Sequence, residues 1–194
     1  MMITVLKNVK ALIFDCDGTL VDSIPLHFEA WEETFTAHGR SYPHKFIERH
    51  NGLSAVEIIR HYNQVHHDNL NIKRFVEEKE RRLKEKLPFV KPIIPVSKLV
   101  NRYKGILPMV ICSGSYLENV KMAISAIGFD DFFDFIITAD DGLRPKPFPD
   151  MFLEAARRLD VKPEECQVFE DCDLGIVTAN NAGMVATDIR LFVN

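Results

Sequence analysis

Apolar and polar positions fall in alternating blocks along most of this chain. Four short apolar runs, Ala11–Phe14, Leu107–Cys112, Phe135–Thr138 and Cys166–Phe169, lead into polar or acidic residues. Continuous apolar runs of that length predict strands buried on both faces, as in a parallel sheet. Val185–Thr187 offers a fifth. Helix-like stretches lie between them: Tyr116–Ile127, Asp150–Leu159 and Leu174–Ala182. Strand alternating with helix predicts an α/β fold, a Rossmann-like doubly wound parallel sheet. In such sheets ligands bind beyond the carboxyl ends of the strands. Asp15 and Asp17, Ser113, the loop leading to Lys146, and Glu170 with Asp171 all fall there. Residues more than 150 positions apart are thereby expected to meet in one crevice.

Between residues 22 and 87 the alternation gives way to amphipathic helix, over Pro25–Ala37, Ala55–Val65 and Lys73–Lys86. The expected organisation is an α/β core made of residues 1–21 and 88–194, with an inserted α-helical cap domain of residues 22–87. Such an insert would hang over the sheet edge as a lid, tethered by Leu20–Ser23 and Leu87–Pro92. The charged run Glu77–Lys86 reads as a solvated face laced with i,i+4 pairs. No internal repeat or low-complexity tract interrupts the pattern.

Composition narrows the partners. At 194 residues and 46% hydrophobic, the chain has enough apolar mass for a sizeable core. A net charge of -4 offers no basic footprint, so nucleic acid is not an expected partner. No apolar run reaches the roughly 18 residues of a spanning helix. The start lacks the basic and apolar regions of a signal peptide, so a cytoplasmic protein with no membrane partner is expected. The four cysteines have no zinc-ligand spacing and sit in or beside strand-like runs, which suits buried free thiols. No heptad seam is present, and a monomer is expected.

The chemistry begins at Asp15-Cys16-Asp17-Gly18-Thr19. Two carboxylates that close repel by roughly 4 kcal/mol at about 4 Å and an effective dielectric of about 20. A site that keeps both ionised wants a cation, and hard carboxylate oxygens suit Mg²⁺. One carboxylate can attack phosphorus, splitting a hard displacement into two easier ones. A second can protonate the leaving oxygen and then deprotonate water. Gly18 permits the tight turn, and Thr19 is expected to hold it by hydrogen bonding. Alone, the same letters also spell an Asp-rich turn. Ser113-Gly114-Ser115 is either a phosphate cradle at a helix start or an ordinary N-cap. Lys146, between Pro145 and Pro147, is either an aimed ammonium or a surface lysine. Glu170 and Asp171 either complete a metal site with Asp15 or cap the next helix.

Taken in order and spacing, DCDGT, the serine of ICSGS, the lysine of RPKPFPD and the acid pair of FEDCDLGI resemble the four motifs of the haloacid dehalogenase superfamily of phosphotransferases. The resemblance spans nearly the whole chain. The insert resembles that superfamily's subfamily I cap, and FDCDGTLVDSIPLHFEAW is similar to β-phosphoglucomutase-like enzymes and small sugar-phosphatases of the fructose-1-phosphatase type. The resemblance implies Asp15 as nucleophile and Asp17 as general acid/base. Ser113 and Gly114 would bind the transferring phosphoryl group, and Lys146 would stabilise charge. Mg²⁺ would be held by Asp15, the Asp17 carbonyl and Asp171, with Glu170 as ligand or support. Ser23, His27 and the cap residues from Asn51 to Ser54 would face the leaving group, although His27 and Trp31 read equally well as helix-face packing. The implied substrate is a small phosphorylated metabolite of the sugar-phosphate kind. One departure matters: Ala55 stands where β-phosphoglucomutases carry an arginine that clamps a second phosphate. Arg60, Lys79 or Arg82 could substitute only in a different geometry. The expected reaction is therefore hydrolysis through an aspartyl-phosphate, with a phosphosugar mutase as the alternative and a non-catalytic phosphometabolite sensor as a third reading.

Overall fold

The computed structural model describes residues 2–193. Five strands, β1 (Ala11–Phe14), β2 (Met109–Cys112), β3 (Phe135–Ile137), β4 (Cys166–Glu170) and β5 (Val185–Asp188), form one sheet in the order β3-β2-β1-β4-β5. Every neighbouring pair is parallel. β1 lies at the centre, with Leu12 paired to Met109 on one side and to Gln167 on the other. All four of its residues are fully buried, which is why the run has no polar position.

Side chains of successive strand residues point to opposite faces, and the two faces recruit different helices. Leu12, Phe14, Ile111 and Phe169 pack with α5 (Ile94–Tyr103) and α6 (Leu117–Ala126). Ala11, Ile13, Val110 and Val168 pack with α7 (Asp150–Leu159) and α8 (Asp173–Asn181). The sheet is therefore doubly wound, and its direction of winding reverses between β1 and β4, where ligands of such sheets bind.

The stretch that breaks the alternation folds as α1 (Ile24–Ala37), α2 (His44–Arg49), α3 (Ala55–His66) and α4 (Ile72–Lys86). α2 and α5 were not expected from the sequence. The four helices enclose an aromatic cluster of their own, in which Phe35 meets Phe75 at 4.9 Å and Tyr62 at 5.0 Å, both edge-on. Ser54 caps α3 by accepting from the Glu57 N–H, and Asn71 caps α4 by accepting from that of Arg74. Ala30 and Leu83 join the core cluster that includes Leu12 and Phe14. The two tethers run side by side: Asp22 N–H donates to the Lys91 carbonyl, and Ile93 N–H to that of Leu20.

The charged run on α4 is not uniformly solvated. Arg81–Glu85 and Arg82–Glu78 are i,i+4 pairs, but the Lys79 side chain is only 3% exposed. Among the described residues no helix is long and apolar enough to cross a membrane.

Candidate active site

β1 delivers Asp15 to the carboxyl edge of the sheet, where its N–H donates to the Phe169 carbonyl. Asp15 and Asp17 reach a common cavity while Cys16 between them packs into the core. The turn that follows needs Gly18 twice over. Its φ is +79°, and a Cβ there would lie 2.1 Å from Asp171 Oδ2. The expectation for Thr19 is corrected: its hydroxyl is buried without a hydrogen-bond partner. Backbone bonds from Thr19, Leu20 and Val21 to the Cys16 carbonyl hold the turn instead.

Lys146 supplies the central cation. Its Nζ donates to Asp15 Oδ1 at 2.8 Å and to Glu170 Oε1 at 2.5 Å, with all three side chains buried. The Lys146–Pro147 peptide is cis. Glu170, the last residue of β4, fits because the first turn of α8 carries Gly175 against it. A Cβ on Gly175 would meet the Glu170 carboxyl carbon at 2.0 Å.

Asp17 is held by three side chains from three parts of the chain. Ser23 Oγ donates to Oδ1 at 2.6 Å, His27 Nε2 lies 3.1 Å from the same oxygen, and Ser115 Oγ donates to Oδ2 at 2.6 Å. Behind His27, Lys79 Nζ lies 3.1 Å from Nδ1. An ammonium only donates, so Nδ1 accepts and Nε2 carries the proton that points at Asp17. Lys79 also donates to Glu80 Oε1, and Asn119 of α6 donates to Glu80 Oε2, which ties the insert to the core.

Electrostatics separate Asp15 from Asp17. Burial pushes the Asp15 carboxyl well up, Lys146 pulls it back, and Glu170, Asp171 and Asp17 push it up again. Burial, then the adjacent Glu170, raises Asp171 to about 7. Burial also opposes ionisation of Asp17, but the hydrogen bonds it accepts from His27, Ser115 and Ser23 win. They hold its carboxyl well below the usual range.

The structure places Asp15, Asp17, His27, Asn51, Ser113, Gly114, Lys146 and Asp171 around one cavity. Ser23 and Glu170 stand just behind its wall, fully buried. Ser113, at the end of β2, accepts from the Ser115 N–H at 3.1 Å. The insert closes over this edge at Gly52, whose carbonyl sits 3.4 Å from the Cβ position of Gly114. The cavity has a free volume of about 70 Å³.

The donor set suits a hard divalent cation. Asp15 and Asp171 carry carboxylates whose ionisation is opposed by burial and by their acidic neighbours, a deficit that a bound cation would relieve. One ligand atom each from Glu170, Asp171 and Cys172 lie within 4.8 Å of one another. All four cysteines are free thiols, and Cys172 is the half-buried one, on the cavity wall.

Sequence reasoning missed Glu80, named Ser115 only as part of the serine-glycine turn, and named Lys79 only as a substitute clamp for a second phosphate, not as the partner of His27. Ser115 carried a signal, since it belongs to the same turn as Ser113. Lys79 carried a subtler one: it falls between Phe75 and Leu83 on the buried stripe of α4.

A doubly wound parallel sheet thus brings two acids after its central strand, a serine-glycine turn after the next and a lysine-bridged acid pair into one carboxylate-centred site at its carboxyl edge. The chain belongs to the haloacid dehalogenase-like hydrolase family, which it matches over residues 12–188. It is 33% identical over 185 residues to the fructose-1-phosphate phosphatase YqaB of Escherichia coli (strain K12), covering 95% of this chain and 98% of that protein. It is 27% identical over 189 residues to the β-phosphoglucomutase of Bacillus subtilis (strain 168), covering 93% and 83%. Among solved structures it is similar to CbbY from Rhodobacter sphaeroides in complex with xylulose-(1,5)bisphosphate. There the TM-score is 0.82 at 26% identity, over 92% of this chain and 84% of that chain.

Proposed function

We propose that this protein is a Mg²⁺-dependent phosphatase that hydrolyses a small phosphorylated metabolite of the sugar-phosphate class through an aspartyl-phosphate on Asp15. One observation carries the reading. Asp15 has one oxygen tied to Lys146, while Asp17, two residues on, is gripped at the same cavity wall. The relative named as a fructose-1-phosphate phosphatase supports the substrate class.

Asp15 attacks phosphorus in line with the leaving oxygen. Lys146, the Ser113 hydroxyl and the Gly114 N–H stabilise charge on the phosphoryl oxygens. Asp17 is anionic in the arrangement described, the state needed to deprotonate water in the second step. Its service as the acid in the first step requires its hydrogen bonds to loosen as a leaving group enters. Mg²⁺, held by Asp15, the Asp17 carbonyl and Asp171 beside Glu170, would neutralise charge on the attacking carboxylate and the phosphoryl group. Residues 22–87 act as a cap over the core of residues 1–21 and 88–194, excluding bulk water. A mutase would need a cation for a second phosphate. Among the described residues Ala55 lines the cavity and no arginine does; Arg82 is engaged by Glu78 and Glu33.

The test is phosphate release across hexose, pentose, triose and nucleoside monophosphates, with Asp15→Asn as the blank. Mg²⁺-dependent release, abolished by EDTA and in the variant, is expected. Release that persists in Asp15→Asn would remove the nucleophile, and release that survives EDTA would remove the metal.

A further inference from the structure

The part of the cavity beyond the catalytic edge is almost devoid of free charge. Its wall on the insert is largely apolar, with Phe28, Trp31, Ile47, Leu53 and Ile58 contributing. The one cation there is Lys79, and it is already engaged. Its ammonium contacts His27 Nδ1 at 3.1 Å and Glu80 Oε1 at 3.0 Å, and lies 5.1 Å from the Trp31 ring centroid. Of its three donors, one remains. Glu80 is fixed in turn by Asn119 at 2.5 Å. With Asp15 and Asp171 given to Mg²⁺ and Lys146 tied to Asp15, the charged groups left on the wall are Asp17, Glu80 and Lys79. Tyr116, also on the wall, has its phenol raised by burial and then by Glu80.

We propose that the Lys79–Glu80 pair makes this site selective for phosphate monoesters whose leaving group is a compact, electrically neutral polyol, and that it rejects substrates with a second anionic group. This rests on the phosphatase reading given above and narrows its substrate class. A neutral hydroxyl takes the one free donor of Lys79, or donates to Glu80, without disturbing the pair. The CH face of a polyol meets the apolar wall around Trp31. A second phosphate or a carboxylate in the same place would lie against Glu80 with no unpaired cation to receive it. Burying such a charge without a partner is strongly unfavourable. The bound bisphosphate of the CbbY structure is thus the kind of ligand this cavity excludes.

The experiment uses pairs that differ by a second anionic group, of which the glycerol pair, CH₂OH against COO⁻, holds size nearly constant and decides the role of charge. Glycerol 3-phosphate is set against 3-phosphoglycerate, and fructose 1-phosphate against fructose 1,6-bisphosphate, with kcat/KM measured for each. The neutral member is expected to win by about 100-fold or more, the scale set by a buried like-charge juxtaposition. Glu80→Gln keeps the shape and an acceptor for Asn119 but leaves Lys79 unpaired, and is expected to shrink that ratio to about 10-fold. Because the substitution also touches the chain to His27 and Asp17, the ratio is the readout, not the rate. Comparable kcat/KM within each pair would overturn the proposal. An unchanged ratio in Glu80→Gln would overturn the role of the pair. If no phosphomonoester is turned over, the phosphatase reading fails by itself. Calorimetric binding of the same pairs to Asp15→Asn in Mg²⁺ then decides the selectivity: preferential binding of the neutral member supports it, and equal binding overturns it.

Discussion

Replacing Lys146 by methionine tests whether the acids at the sheet edge depend on one buried cation. The lysine side chain is 2% exposed, and it serves Asp15 at 8% and Glu170 at 0%. Methionine keeps the length and apolar stem but leaves both carboxylates without their ammonium. Glu170 then retains only the weak donor Cys172 Sγ, at 3.7 Å. Removing one member of a buried ion pair typically destabilises by about 3–5 kcal/mol. For a chain of this size that corresponds to a fall in Tm of about 10 °C. The assay is urea unfolding in EDTA at neutral pH, followed both by far-UV circular dichroism and by fluorescence of the single tryptophan, Trp31. The latter sits in the insert and reports whether insert and core unfold together. The double variant Lys146→Met/Glu170→Gln removes one of the two stranded charges and is expected to recover about half of the loss. A single variant as stable as the parent would refute the reasoning. So would a double variant no better than the single.

Two further outcomes follow from the same geometry. Gly18→Ala combines a positive φ with a Cβ placed 2.1 Å from Asp171 Oδ2. It is expected to weaken Mg²⁺ binding at least about tenfold by calorimetry, a 1.4 kcal/mol effect at minimum, whereas Gly39→Ala, with open space around its Cβ, is not. In metal-free protein, burial and then Glu170 push the Asp171 carboxyl from its ordinary 3.8 up to about 7. The folded state therefore binds the extra proton, so this residue's contribution to stability falls as pH rises from about 4 to about 7. Mg²⁺ favours the ionised form and is expected to stabilise more at pH 8 than at pH 5. Thermal unfolding with and without Mg²⁺ checks this, and Asp171→Asn is expected to flatten the metal-free slope.

How much of this was legible in the sequence depended on how local its cause is. Ala11–Phe14 matched its strand to the residue because Lys10 and Asp15 bound an all-apolar run. β2 begins two residues later than expected, after Pro108, which has no N–H for a sheet ladder. Thr138 leaves β3 because its hydroxyl caps the following turn by accepting from the Asp140 N–H. Glu170 extends β4 by pairing with Asp188. α5 escaped notice because its opening residues, Ile94 and Pro95, look like a turn. Its buried face, Val96, Leu99 and Val100, nonetheless has helical spacing, with proline in the first turn. α2, at six residues, is too short to show a period.

The site divides along the same line. Residues at strand ends were legible because a buried strand that ends in an acid or a hydroxyl leaves that group few places to go. Lys79 was not, because a charged residue on an apolar stripe is explained only by what faces it. That partner, His27, lies 52 positions away on another helix. The grip on Asp17 shows why such residues matter. Ser115 comes from the core, Ser23 from a tether and His27 from the insert, so the carboxylate is fully held only when the insert sits closed on the sheet edge. Lys79, Glu80 and Asn119 continue that line back to α6. Asp17 and the part of the cavity proposed to receive the leaving group are therefore parts of one hydrogen-bonded chain.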